Sequence, residues 1–188
     1  SISPPEIEAL EGTVFGGKFA ITGTLGKGGF GTVYSAIQHP VDRPVAIKVL
    51  QKEHASRELQ VKRFFAEAKS ISRLRNQHTI QLFDFGQGDD GELYMAMELA
   101  PGLNLADLIK SEGPLQPMRV TRIAEQVCES LAEAHELGII HRDLKPDNIM
   151  VEERRNERDF VKVLDFGIAK LLDSADDVPV TVSGIVNG

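Results

Sequence analysis

The first half of the chain alternates apolar and polar residues in short segments, a period of two that is typical of β-strands. Three strands are predicted first, over 18–26, 32–38 and 44–50. The period then changes to three or four, which predicts a helix over 56–75 with its apolar face formed by Val61, Phe64, Phe65, Ala68, Ile71 and Leu74. Two more strands are predicted near 79–85 and 92–98, joined by a turn at 88–91.

After Pro101 and Gly102 the pattern becomes mainly helical. A short helix is predicted over 103–111 and a long one over 118–137. The long helix has one apolar face, formed by Val120, Ile123, Ala124, Val127, Cys128 and Leu131. Short strands are predicted near 149–151 and 160–164, and the charged tract 152–159 between them is interpreted as a solvated hairpin loop. The order is therefore a strand-rich part followed by a helix-rich part.

Composition narrows the class of protein. The chain has 188 residues, of which 41% are hydrophobic and 26% charged, and its formal net charge is −7. The acidic balance argues against nucleic acid as the main partner. One cysteine excludes an internal disulfide and fits a reducing compartment, so we expect the chain to lie in the cytoplasm. No apolar run approaches the ~18–20 residues of a membrane span, and the first ten residues do not resemble a signal peptide.

A glycine-rich turn is predicted between the first two strands. It reads Gly26-Lys27-Gly28-Gly29-Phe30-Gly31 and is followed by Val33. Glycines let a backbone approach a polyphosphate closely and point its amides toward it. The motif alone is weak evidence, because an ordinary hairpin turn fits it equally well. The strands on both sides argue against a dinucleotide-binding fold, in which the last glycine would begin a helix.

One lysine and one glutamate lie in otherwise apolar surroundings. Lys48 follows Val45-Ala46-Ile47 in the third predicted strand, and Glu67 lies on or beside the apolar face of the first helix. A buried carboxylate is costly unless it is paired, so a Lys48–Glu67 ion pair would account for both residues and would hold the ammonium where it can bind phosphate. A surface lysine and a solvated glutamate remain the alternative.

The most specific motif lies after the long helix. The string His141-Arg142-Asp143-Leu144-Lys145-Pro146-Asp147-Asn148 is followed, after the two last predicted strands, by Asp165-Phe166-Gly167. Asn148 and Asp165 offer the oxygen ligands that Mg²⁺ prefers, beside an acid, Asp143, and a cation, Lys145. Phosphoryl transfer needs such a set, because it depends on charge neutralisation and on a carboxylate that aligns the attacking hydroxyl.

Together these motifs resemble the protein kinase family, in particular the eukaryotic-like serine/threonine kinases of bacteria. The resemblance implies an α+β, two-lobed fold, with an antiparallel five-stranded small lobe and one main helix. It divides the chain into an irregular lead-in (1–17), a small lobe (18–98), a hinge (99–102) and part of a large lobe (103–188). It also implies that the sequence stops inside the activation segment, before the family's Ala-Pro-Glu motif, and that residues 1–188 alone would be inactive.

The resemblance also implies a role for each matching residue. Asp143 would be the catalytic base, Lys145 would neutralise the γ-phosphate, and Glu67 would hold Lys48 against the α- and β-phosphates. Asn148 and Asp165 would hold the metal, expected to be Mg²⁺ or Mn²⁺. The ATP site would be formed by Leu25, Gly26, Lys27, Gly28, Gly29, Phe30, Gly31, Val33, Ala46, Lys48, Met97, Glu98, Ala100, Met150 and Asp165. An apolar column linking the lobes would consist of Ile71, Leu82, His141 and Phe166.

The expected activity is transfer of the γ-phosphoryl group of ATP to serine or threonine of protein substrates and of the chain's own activation segment. Thr181 and Ser183 lie where bacterial relatives carry that phosphate, and Arg142 would pair with it; two ordinary loop hydroxyls are the alternative. The expected partners are ATP, protein substrates and a second kinase copy. A nucleotide-binding pseudokinase is the rival interpretation, but such proteins usually lack one of Lys48, Asp143, Asn148 and Asp165.

Overall fold

The structure, a computed structural model, describes residues 12–51, 58–155 and 157–167. Its first part is a six-stranded antiparallel sheet with the order β1-β2-β3-β4-β6-β5. The strands are β1 (Val14–Phe15), β2 (Phe19–Gly28), β3 (Gly31–Gln38), β4 (Arg43–Leu50), β5 (Leu82–Gln87) and β6 (Leu93–Glu98). The helix α1 (Glu58–Ile71) lies between β4 and β5 in the chain.

Both faces of this sheet are covered by apolar side chains. In β6, Leu93, Met95 and Met97 join the larger core. The alternate residues Tyr94 and Ala96 join a second cluster on the opposite face. Successive side chains of β6 point to opposite faces of the sheet, and both faces are buried. This explains why the strand is an almost continuous apolar run.

The sheet has one strand more than the five expected, because the lead-in contributes β1. This strand has only two residues, too few to show an alternating pattern. Phe15 anchors it: the side chain is 5% exposed, and its ring meets that of Tyr94 edge-on at 5.3 Å between centroids. Burial of one aromatic residue thus fixes a segment that the sequence pattern left irregular.

The second part of the fold consists of helices and a small sheet. Its sheet has the order β7-β8-β9 and its strands are β7 (Leu103–Asn104), β8 (Ile149–Arg154) and β9 (Glu157–Val163). The helices are α2 (Leu105–Glu112) and α3 (Pro117–Glu136). Asn104 caps α2, since its Oδ1 accepts a hydrogen bond from the amide of Asp107. Within the described part of the chain, no helix is long and apolar enough to cross a membrane.

The tract 152–159 is a hairpin whose middle is exposed, as predicted: Glu153, Arg154, Arg155, Glu157 and Arg158 face the solvent. Most of its described residues belong to β8 and β9. The two ends of the tract differ from the prediction. Glu152 is only 6% exposed and pairs with Arg154, while Asp159 accepts hydrogen bonds from Nε and Nη2 of Arg119 on α3. Each of these carboxylates has a cationic partner, which makes its burial tolerable.

The apolar face predicted for the long helix is divided in two. Ile123 and Val127 are buried, whereas Val120, Ala124 and Cys128 are exposed. The buried face continues with Ser130 and Ala134, at spacings of three and four. The helix therefore packs through a narrower face, and a second apolar stripe lies beside it on the surface.

The two sheets are joined where the segment before β5 runs beside the end of β9. Thr79 forms a parallel bridge with Val163, and the amide of Ile80 donates to the carbonyl of Val163 at 3.0 Å. Helix α3 fixes the same segment: the carboxylate of Glu133 accepts hydrogen bonds from the amides of residues 75 and 76 at 2.8–3.0 Å. Thr79 is thus held by backbone contacts on one side and by α3 on the other.

Candidate functional site

A cavity of about 500 Å³ lies between the two sheets. Its upper wall is formed by the β2–β3 turn and by β4, and its lower wall by the segment 143–148 and residues 164–167. Twelve of the residues singled out from the sequence as the ATP, metal and catalytic site line it: Gly26, Lys27, Gly28, Phe30, Gly31, Val33, Lys48, Met97, Asp143, Lys145, Asn148 and Asp165. Residues far apart in the chain therefore converge on one cavity.

The glycine-rich segment forms the turn between β2 and β3, where Gly28 pairs with Gly31. A Cβ atom built on Gly26, Gly28 or Gly29 would meet nothing within 4 Å. Gly31 differs, because its φ is +148° and a Cβ would lie 2.0 Å from the carbonyl oxygen of Val49. One glycine is thus required by the fold, while the others leave room for a ligand to approach the backbone.

Lys48 projects from β4 into the cavity and is 11% exposed. Its Nζ donates to Oδ2 of Asp165 at 2.6 Å. Glu67, half-buried on α1, is not among its ion-pair partners in the described residues. The expected Lys48–Glu67 pair is therefore not the one that the structure contains. The ammonium instead pairs with the carboxylate across the cavity, which sequence spacing could not reveal.

The segment 141–148 is fixed by its own hydrogen bonds. The amide of Asp143 donates to the carbonyl of His141 at 2.8 Å. Asn148, in a short 3₁₀ turn over Pro146–Asn148, donates through Nδ2 to the backbone oxygen of Asp143 at 2.8 Å and to its Oδ2 at 3.1 Å. Lys145 Nζ lies 3.3 Å from the same Oδ2. The Asp143 carboxylate is thus oriented by an amide and an ammonium, both of which line the cavity.

Two non-glycine residues in this region have left-handed backbone conformations, with φ of +61° at Arg142 and +50° at Asp165. Such conformations cost about 1–3 kcal/mol and persist where the surroundings enforce them. The surroundings also require glycine at position 167, since its φ is +31° and a Cβ on Gly167 would lie 2.6 Å from the carbonyl oxygen of His141. The backbone around His141 and the backbone around Gly167 are therefore held in close, strained contact.

His141 connects these two segments. Its imidazole is buried at 3% exposure, and Nε2 lies 2.7 Å from the carbonyl oxygen of Leu164. Its ring lies 4.7 Å from that of Phe166. Burial lowers the pKa of His141 below its ordinary value, so the ring is held in the neutral form.

The expected apolar column is partly visible as a set of contacts. Phe166 contacts His141, as described above, and Ile71, Leu82 and Phe166 all line the cavity. They also belong to, or pack against, the core that runs through both parts of the fold. The column is therefore part of that core.

Some expected nucleotide-site residues are not in the cavity wall as the structure describes it. These are Leu25, Gly29, Ala46, Glu98, Ala100 and Met150. Leu25 is 53% exposed. Ala46 is the register partner of Met97 and is buried with it in the core, on the same face of the sheet. Thr181 and Ser183 lie outside the described residues.

Six lining residues were not identified from the sequence: Ile80, Met95, Asn104, Asp147, Leu164 and Gly167. The two-residue alternation of side chains along β6 could have predicted Met95, because it lies two residues before Met97 and faces the same side. Asn104 had no signal in sequence, since it reaches the cavity only through the turn that begins α2.

Comparison with known proteins places this site in a family. The sequence model of the protein kinase domain matches residues 19–185. The chain is 48% identical over 185 residues to the serine/threonine-protein kinase pkn3 of Myxococcus xanthus, which covers 98% of this chain and 34% of the relative. It is 38% identical to the serine/threonine-protein kinase PrkC of Bacillus subtilis, covering 88% and 25%. The chain thus spans about a third or less of these curated relatives.

Solved structures agree with the sequence relatives. The kinase domain of Mycobacterium tuberculosis PknI has a TM-score of 0.73 and 30% identity, and the likeness covers 89% of this chain and 68% of that one. Rad53 1-466, solved in complex with AMP-PNP, has a TM-score of 0.70 and 30% identity, covering 80% and 38%. The chain belongs to the protein kinase domain family and has bacterial serine/threonine-protein kinases among its relatives.

Proposed function

We propose that this chain carries the nucleotide site and the catalytic groups of an ATP- and Mg²⁺-dependent serine/threonine protein kinase. The observation that carries the proposal is the convergence of Lys48, Asp143, Lys145, Asn148 and Asp165 on one cavity. These side chains supply two cations for phosphate, oxygen ligands for a metal and a carboxylate for a hydroxyl, which are the requirements of phosphoryl transfer.

The cavity suits a nucleotide at both ends. The open space over Gly26 and Gly28 leaves their backbone accessible to phosphates. The wall behind it is apolar, with Val33 and Met97 facing the cavity, and could take the adenine together with Ala46, Met150 and Leu25. In this arrangement the backbone of Glu98 and Ala100 would hydrogen-bond the base. The AMP-PNP complex of a structural neighbour supports an adenine nucleotide as the ligand.

The metal donors have the chemistry that Mg²⁺ prefers. Asn148 uses Nδ2 to bond Asp143, so its amide oxygen is left to serve as a ligand. Asp165 supplies a carboxylate that faces Lys48 across the cavity. Bound Mg²⁺ would neutralise charge on the phosphate oxygens.

The remaining groups act on the substrate hydroxyl and the phosphates. Asp143 would align a serine or threonine hydroxyl and accept its proton, while the γ-phosphoryl group passes to that oxygen and ADP leaves. Lys145, 3.3 Å from Asp143, would neutralise the transferred group. Lys48 would hold the α- and β-phosphates. When Asp165 binds the metal, Glu67 would become the ion-pair partner of Lys48.

We extend the proposal to the domain layout and to regulation. Residues 18–98 would form the small lobe, 99–102 the hinge and 103–188 part of the large lobe. Thr181 and Ser183 would be autophosphorylated, and their phosphates would pair with Arg142, which is exposed beside Asp143. Protein substrates and a second kinase copy would be the partners, in the cytoplasm.

The test is transfer of radiolabelled γ-phosphate to a generic basic protein by the full-length protein and its variants. Lys48→Met and Asp143→Asn should each remove most of the activity, since both act on the reacting groups and not on packing. Asp89→Asn, in the exposed β5–β6 turn, is the matched control and should leave activity unchanged. Normal transfer by Asp143→Asn would contradict the base assignment. Nucleotide binding without transfer by the wild type would favour a pseudokinase.

A further inference from the structure

A buried lysine lies close to the cavity but outside its wall. Lys162 belongs to β9, and its side chain is 6% exposed. Its Nζ lies 2.8 Å from Oε2 of Glu98 and 3.5 Å from the carbonyl oxygen of Thr79. Burial of an ammonium is costly unless it is paired and hydrogen-bonded, so these two contacts are what allow the charge of Lys162 to be buried here. The proposed reaction does not use it.

Glu98 is held at the end of β6, directly before residues 99–102, which lead into the second part of the fold. Besides Lys162, its Oε2 accepts a hydrogen bond from the amide of Gln81 at 3.3 Å. Its own amide donates to the carbonyl of Gln81 at 2.8 Å. Side chain and backbone of Glu98 are therefore both fixed at the point where the adenine would be bound.

Lys162 lies on the strand that leads to Asp165, three residues further on. The first of the two residues between them, Val163, forms the parallel bridge with Thr79. Thr79 is in turn fixed to α3, because its Oγ1 lies 2.7 Å from Oγ of Ser130 in a buried hydrogen bond. The Thr79–Glu98–Lys162 cluster thus links the end of β6 to β9, the strand that leads to Asp165.

We propose that Lys162 and Glu98 are positioning residues that set the separation between the backbone at 98–100 and the carboxylate of Asp165. The inference rests on the proposed nucleotide site, in which the backbone at 98–100 holds the adenine and the carboxylate of Asp165 holds the metal and phosphates. One nucleotide must reach both ends at once, so a changed separation weakens its binding. Asp143 and Lys145 are fixed within their own segment, so transfer from bound nucleotide is unaffected.

The experiment uses the full-length protein and compares the KM for ATP, kcat, the Kd for Mg–ADP from calorimetry and the melting temperature. Lys162→Met should raise the KM and the Kd by about five- to tenfold, with kcat changed by less than about twofold. A merely structural role would lower the melting temperature and the active fraction, and would leave both constants unchanged.

Two further variants keep the test decisive if Lys162→Met fails to fold. The double variant Lys162→Met/Glu98→Leu leaves no buried charge unpaired, so it should fold and still show the raised KM. Glu98→Gln retains an oxygen acceptor for Lys162 but loses the charge, so it should raise the KM, and by less than Lys162→Met does.

The matched control is Arg119→Met. Arg119 also ties β9 to another element, through Asp159 at 2.9 Å, but its partner lies away from the cavity. It should lower the melting temperature without changing the KM. An unchanged KM and Kd in folded Lys162→Met or in the double variant would overturn the inference alone. A wild-type protein that binds no Mg–ADP would overturn the proposed function and the inference with it.

Discussion

The substitution Gly31→Ala tests whether the β2–β3 turn must be held against β4 for the nucleotide to bind. An added Cβ would lie 2.0 Å from the carbonyl oxygen of Val49, 2.9 Å from the Cα of Leu50, and φ at this position is +148°. The contact is with backbone, so no side chain can rotate away. The turn would have to shift by about 1 Å from the strand that also carries Lys48.

Two effects follow from this displacement. The strained backbone and the clash together should lower the free energy of unfolding by about 2–4 kcal/mol. The shifted turn should also raise the KM for ATP by about tenfold or more, because it moves the amides of Gly28 and its neighbours out of line with Lys48. Denaturant unfolding and ATP-dependent kinetics of the full-length protein measure the two effects separately.

Gly29→Ala is the matched control for this experiment. A Cβ on Gly29 meets nothing within 4 Å, and its φ lies outside the left-handed range. Its free energy of unfolding should stay close to that of the wild type, and its KM should change less than that of Gly31→Ala. Equal effects of the two substitutions would refute the reasoning, since glycine would then matter through flexibility of the whole turn and not through the contact with Val49.

Three further predictions follow from the site and its supports. Asp165→Ala should weaken binding of an ATP analogue more in the presence of Mg²⁺ than in its absence; equal losses in calorimetric titrations would show that the carboxylate does not act through the metal. Glu133→Ala should cost about 1–3 kcal/mol and speed hydrogen exchange at 75–76, because two backbone amides lose a charged acceptor; Glu125→Ala, at an exposed position on the same helix, should do neither. His141 has a lowered pKa because it is buried, so the unfolded chain binds its proton more readily; stability should be complete above pH 6.5 and fall as the pH drops below that ordinary value. The fall should be shallower in His141→Asn, and an equal pH dependence in both proteins would contradict the assignment.

The sequence predicts the elements well where periodicity is strong. β3, β4 and α3 lie within one or two residues of their predicted bounds. The pattern is less informative where burial depends on a distant partner. Asp159 is tolerated in β9 because Arg119 meets it from α3, and no local rule contains that contact. The same limit explains β1, which is held by the ring contact between Phe15 and Tyr94.

For the candidate site as well, the sequence predicts which residues take part but not how they are arranged. The motifs identify the residues that converge, because phosphate chemistry restricts which side chains can serve. They do not identify how these residues pair in a given state: Lys48 meets Asp165 and not Glu67. Both carboxylates suit an ammonium chemically, and only the placement of α1 and of residues 164–167 decides between them.

In the proposed reaction this cavity directs the γ-phosphoryl group of ATP to serine or threonine. The most direct measurement incubates the full-length protein and Mg²⁺ with ATP labelled either at the γ- or at the α-phosphate, followed by phosphoamino-acid analysis of the protein products. We expect phosphoserine or phosphothreonine that is labelled from γ-labelled ATP alone. Absence of label, label on tyrosine only, or equal label from both nucleotides would contradict it.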